Sequence, residues 1–139
     1  MKYKRFGNSI VVRFEKGDEV HAALRELALA ENIKLASISG IGAADDVTVG
    51  VFDCSKGAYD NFNYKGDFEL SSVIGSITTM NGEFYSHVHV TCAGPEGRVF
   101  GGHLVSAKVN LTCEIFITVI DGEVDRVRDE ELRINILNI

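Results

Sequence analysis

Apolar residues recur along this chain with two different periods, and the change between them divides it. The run Ser9 to Phe14, Ser-Ile-Val-Val-Arg-Phe, is rich in β-branched side chains and reads as a first strand. Lys16-Gly17-Asp18-Glu19 breaks that pattern and supplies a helix start, with acidic groups where the helix dipole favours them. Val20, Ala23, Leu24, Leu27 and Ala28 then fall at helical spacing and predict one amphipathic helix ending near Asn32. His21 lies beside the apolar stripe and reads as a surface or boundary residue. This is the one convincing helix.

From Lys34 onward the pattern is strands and turns. Leu35 to Gly50 is a long β region interrupted by Gly40-Ile41-Gly42-Ala43-Ala44. A bend or bulge fits there better than a phosphate loop, because the full G-x-G-x-x-G does not follow. Gly57 to Gly66 is polar, contains aromatics and reads as a loop. Glu69 to Thr79 is a second long β region, with Gly75 as a candidate bulge. Asn81-Gly82 and Asp121-Gly122 are hairpin-turn signals. Between them, Glu83 to Ala93, Arg98 to Ala107 and Leu111 to Ile120 are each strand-like, and Gly94-Pro95-Glu96-Gly97 joins the first two. A last strand is expected over Glu131 to Leu137. One early helix followed by sequential strands predicts an α+β fold: a mainly antiparallel β-sheet covered by one principal amphipathic helix.

With 139 residues the chain is expected to be a single domain, residues 1–139. A 45% apolar content allows a core large enough to exclude intrinsic disorder. The apolar runs are of strand length, so no membrane partner is expected. Met1 to Arg5 is basic but leads into Phe6-Gly7-Asn8, not an apolar signal region, which predicts a soluble, cytoplasmic protein. Cys54, Cys92 and Cys113 form no C-x-x-C motif, and the last two sit in apolar runs as inert core thiols. The net charge of -6 opposes nonspecific DNA binding, which rests on phosphate neutralisation. Basic residues are scattered, apart from Lys2, Lys4 and Arg5 at the start and Arg126, Arg128 and Arg133 near the end.

The chemistry concentrates in the histidines. His87, His89 and His103 fall within 17 residues. Strand side chains alternate, so His87 and His89 project from one side about 7 Å apart. They share the polar face of Glu83, Tyr85 and Thr91, opposite Phe84, Val88, Val90 and Cys92. Two imidazoles so placed can converge on one divalent ion. A regular hairpin with a two-residue Pro95-Glu96 loop would pair His103 with Val88, on the wrong face. A three-histidine site therefore requires an irregular register between Ala93 and His103, from an odd loop or a bulge, and Gly101-Gly102 is a natural bulge site. Glu114 is a candidate fourth ligand, support for an imidazole or general base. Arg98 is a candidate anion-binding residue. The acidic run Asp121, Glu123, Asp125, Asp129 to Glu131 reads as a solvated turn region.

Tyr85-Ser-His87-Val-His89-Val, followed by Gly94-Pro-Glu-Gly-Arg98-Val-Phe100-Gly101-Gly102-His103-Leu104, resembles the plants and prokaryotes conserved (PPC) domain family. The likeness extends to Ile38-Ser-Gly-Ile-Gly42 and Thr112-Cys-Glu114-Ile-Phe116. It implies a compact α+β domain, a homotrimer, and a stand-alone prokaryotic member of a group often labelled as DNA-binding. Plant members join the domain to AT-hook segments. No Arg-Gly-Arg-Pro-like hook is found here, and the single proline is Pro95. Some prokaryotic members look like metal proteins, with ligands matching His87, His89 and His103; zinc is the expected ion. The leading expectation is a trimeric regulatory or binding module with a metal site and protein partners. The alternatives are a small metal-dependent enzyme acting on an anionic small molecule, or a purely structural oligomerisation module.

Overall fold

The computed structural model describes residues 1–139, and its single α-helix forms where the helical spacing lies, as α1 (Val20–Ala30). Val20, Ala23, Leu24, Leu27 and Ala28 are its buried face. Glu19 caps it, accepting from the His21 and Ala22 amides at 3.0 and 2.7 Å. The same carboxylate accepts from the Ala107 amide at 3.1 Å, so one side chain both starts the helix and ties it to the sheet. His21 is half-buried, with its ring Nε2 2.9 Å from the Ser86 hydroxyl.

The strands are β1 (Lys2–Phe6), β2 (Ser9–Glu15), β3 (Ala36–Asp53), β4 (Ala58–Met80), β5 (Glu83–Ala93), β6 (Val99–Val119), β7 (Arg126–Asp129) and β8 (Ile134–Leu137). The main sheet runs β1-β2-β6-β3-β4-β5, and β5 pairs back onto β6. Strands β3 to β6 therefore close on themselves into an antiparallel ring, while β2 and β1 extend the far half of β6. Closure leaves those strands fewer free edges. The inner face, with Phe14, Val47, Leu70, Ile77, Leu104 and Ile115 fully buried, packs into one core with α1. Bulges bend the long strands, in β3 between Gly40 and Gly42 and in β4 between Leu70 and Ser72.

Several local expectations change. Residues 58–66 belong to β4, not to a loop; irregular backbone is confined to the turn at Gly57, with φ +64°, and to Gly66, with φ +138°, where the register with β3 shifts. The two segments expected at 98–107 and 111–120 merge into β6, because Lys108 and Val109 keep their partners Asp46 and Ala44 on β3. Gly75 is no bulge: the register runs through it, and glycine is needed because a Cβ there would overlap the His87 carbonyl of β5. Asn81-Gly82 does make a tight hairpin turn, with φ of 54° and 77°. Asp121-Gly122 does not, since β7 pairs with β8 and not with β6. The fully exposed β1 carries no apolar alternation and escapes a pattern reading. In the acidic run, Asp129 accepts from the Glu131 and Leu132 amides, and Asp125 from the Thr79 hydroxyl and Asn81 amide. These acids anchor turns as well as facing solvent. No helix is long and apolar enough to cross a membrane.

Candidate metal centre

The pleat of β5 separates its two faces as the alternation predicts. Val88, Val90 and Cys92 are buried, while His87, His89 and Thr91 point outward. His103 stands directly opposite His89, in a ladder continuous from Ala93–Val99. The connection between β5 and β6 is odd, five residues from Gly94 to Arg98 around the turn Pro95–Gly97, with Glu96 and Gly97 at φ 62° and 74°. Its length, not a bulge at Gly101-Gly102, turns His103 to the side of the other histidines. Those glycines answer a different need. A Cβ on Gly101 would overlap the Val90 carbonyl, and one on Gly102 would lie 2.7 Å from the Gly50 oxygen.

One ring nitrogen from each of His87, His89 and His103 lies within 4.8 Å of the others. The Nε2 atoms of His87 and His89 are 3.2 Å apart. Two nitrogens on a tetrahedral ion at Zn–N of 2.0–2.1 Å stand about 3.3 Å apart, so the pair is already at ligand spacing. The Nδ1 of His103 is buried with no hydrogen-bond partner. Burial, then the charges of its histidine neighbours, lower the His103 pKa to about 4. Burial, His89 and Arg126 hold His87 below the usual imidazole value. Both rings are thus biased to the neutral form that offers a lone pair. Donor set, spacing and the orphaned nitrogen all fit a divalent metal.

His87 and His103 line a cleft of about 220 Å³, together with Tyr59, Tyr85, Arg126, Arg128 and Arg133. The Tyr59 and His103 rings are 5.1 Å apart. The strand β4 supplies Tyr59, and the β7–β8 hairpin supplies the arginines. Neither of the other sequence-derived candidates is here. Arg98 is exposed at the far end of the β5–β6 connection, five residues and about 17 Å of strand from His103. Glu114 sits opposite Arg13 and Ile41, eleven residues along β6 and about 36 Å of strand away. Within one chain, neither touches the histidines, and no carboxylate lines the cleft. Phe100 packs, stacking on Tyr64 at 3.9 Å and meeting Phe68 edge-on. The arginines of the hairpin had been visible only as a basic group, because nothing local links residues 126–133 to residue 87.

The fold and the cluster define an α+β protein whose antiparallel ring carries three histidines on its outer face, under a short hairpin. The model of the Plants and Prokaryotes Conserved (PCC) domain matches residues 1–121, and the chain belongs to that family, the one its motifs resemble. A "putative DNA-binding protein" from Bacteroides thetaiotaomicron is similar at 30% identity and TM-score 0.95, covering 99% of this chain and 96% of its own. One of the same description from Ralstonia eutropha reaches 32% identity and TM-score 0.93, with 99% and 96% covered. A metal-containing protein from Archaeoglobus fulgidus is 29% identical with TM-score 0.89, and both chains are fully covered. No curated protein matches the chain.

Proposed function

We propose that this protein is a homotrimeric PCC-domain module that binds a divalent metal through His87, His89 and His103, with zinc as the expected ion. The observation that carries the reading is the convergence of the three ring nitrogens within 4.8 Å. The metal-containing relative from Archaeoglobus fulgidus supports it. Imidazole donors suit zinc, and also iron, copper and nickel. Three protein ligands leave a zinc ion an open position, where it supplies Lewis acidity or an activated water. The trimer rests on the family resemblance, and the exposed Ile41, Ile74, Leu111 and Phe116 offer apolar surface for it. A cytoplasmic location agrees with the free cysteines, whose buried members Cys92 and Cys113 have thiols pushed up to about 11 and about 12.

The test is metal content per chain by plasma mass spectrometry, for the wild type and for His87→Ala, His89→Ala and His103→Ala. Near-stoichiometric metal in the wild type and its loss in each variant is the expected result. A metal-free wild type that takes up no added zinc overturns the reading. The relatives' names favour a second reading, DNA binding, against which stands the net charge of -6. A salt-sensitive gel shift would support it, and no shift at ordinary ionic strength would remove it.

A further inference from the structure

We propose that the cleft lined by His87 and His103 binds a small organic oxyanion, a carboxylate or phosphate, gripped by Arg126, Arg128 and Arg133. Three guanidinium groups line one wall of this cleft, and none of them pairs with a carboxylate anywhere in the chain. Arg126 is only 7% exposed. A buried cation without a counter-charge is rarely tolerated, so an anion is the partner the site lacks. In the same segment Asp125 is engaged on Thr79 and Asn81 and Asp129 on its own turn, while Glu130 and Glu131 pair with none of the three arginines.

Two of the arginines are also held in place. Arg126 lies 4.7 Å over the Tyr85 ring, while its Nε donates to the Thr78 hydroxyl at 2.9 Å and its Nη1 to the Asn135 carbonyl at 3.0 Å. Its Nη2 makes no hydrogen bond. Arg133 donates from Nη1 to the Lys56 carbonyl at 3.2 Å and from Nη2 to the Cys54 carbonyl at 3.0 Å, which leaves its Nε free. Arg128 makes neither an ion pair nor a hydrogen bond. Guanidinium groups match carboxylate and phosphate oxygens, and Arg126 and Arg133, already fixed by their hydrogen bonds, have little side-chain freedom left to lose on binding.

Size and surroundings narrow the ligand. A volume of about 220 Å³ is that of about seven waters, room for a molecule of a few carbons. Phe52, Tyr59 and Ile134 offer its carbon skeleton an apolar side. The metal ligands lie inside residues 1–121, and all three arginines lie beyond them. The family segment thus carries the histidines, and the C-terminal hairpin sets what may approach them. This inference deepens the metal reading, which supplies the ligand's second anchor.

Calorimetric titration with malonate and with inorganic phosphate tests it, on zinc-loaded and metal-stripped protein at matched ionic strength, with metal content read again afterwards. Arg128→Gln and Arg133→Gln replace exposed side chains and should fold; Arg98→Gln is the charge-matched control. Saturable binding near one per chain is expected, weakened about tenfold by either hairpin variant and unchanged by the control. Preference for malonate or for phosphate identifies which oxyanion the forks take. Binding that survives in metal-stripped protein supports the anion site even where the protein takes up no metal. Zinc uptake with no saturable heat from either anion overturns this inference and leaves the metal reading standing. Equal weakening by Arg98→Gln overturns it too.

Discussion

At the residue scale, the chemistry near the cluster depends on which protons the histidines refuse. The folded His103 titrates at about 4, against an ordinary value of 6.5. As pH falls below 6.5, the unfolded chain binds a proton that the folded chain does not, so folding stability falls with pH. The loss is complete once pH passes below about 4. Urea midpoints of metal-free protein at pH 7, 5.5 and 4 should decline through that window, and His103→Gln should make the decline shallower; parallel curves would show that His103 contributes nothing to it. Protons also compete with the metal, but only where the folded ring titrates, so the His103 contribution to zinc affinity should fade as pH falls towards about 4. Gly75 is the other decisive single residue. Gly75→Ala places a methyl against the His87 carbonyl, at an expected cost of about 1–3 kcal/mol and a matching fall in Tm.

At the scale of elements, α1 depends on one carboxylate that serves two masters. Glu19 satisfies two amides of the first helical turn and the Ala107 amide of β6. Glu19→Ala removes a cap and strands an amide at the packed helix–sheet junction, for an expected loss of about 2–4 kcal/mol in urea unfolding. Glu19→Gln keeps acceptor oxygen and should cost less. The β7–β8 hairpin is likewise tied to β4 by side chains, through Asp125 on Thr79 and Arg126 on Thr78. Its placement over His87 follows from those ties, since it belongs to a separate two-stranded sheet.

At the scale of the molecule, the ring of β3 to β6 buries its inner face and leaves an outer face that is partly apolar. Val11, Phe116, Ser39 and Ile74 occupy successive opposed positions across β2, β6, β3 and β4, and therefore share that outer face. Phe116 and Ile74 are 55% and 59% exposed. Apolar residues grouped on an outer face mark an interaction surface. For the homotrimer proposed above, Phe116→Asp should shift the sedimenting species from the mass of three chains towards that of one, with the far-ultraviolet dichroism unchanged. A variant that stays trimeric would place the contact elsewhere on the surface.

Much of this protein was legible in its residue order. The helix at Val20–Ala30, the exposed histidine face of β5 and the α+β class all follow from periodicity, a local property that says which side chains turn towards a core. The need for an irregular register before His103 was legible too, although its cause was the five-residue connection rather than the paired glycines. Other features depended on contacts between distant segments. Lys108 and Val109 join two apparent strands because β3 runs alongside them, and Gly75 is small because β5 crosses it. Glu114 and Arg98 sit on the same strand as His103 or just before it, yet extended chain carries them out of reach. Arg126, Arg128 and Arg133 come to the histidines from far along the chain, by way of the ring and the hairpin. Side-chain pattern alone determines which face a residue takes; strand register, loop length and closure decide which faces meet, and those were settled only when the whole chain folded.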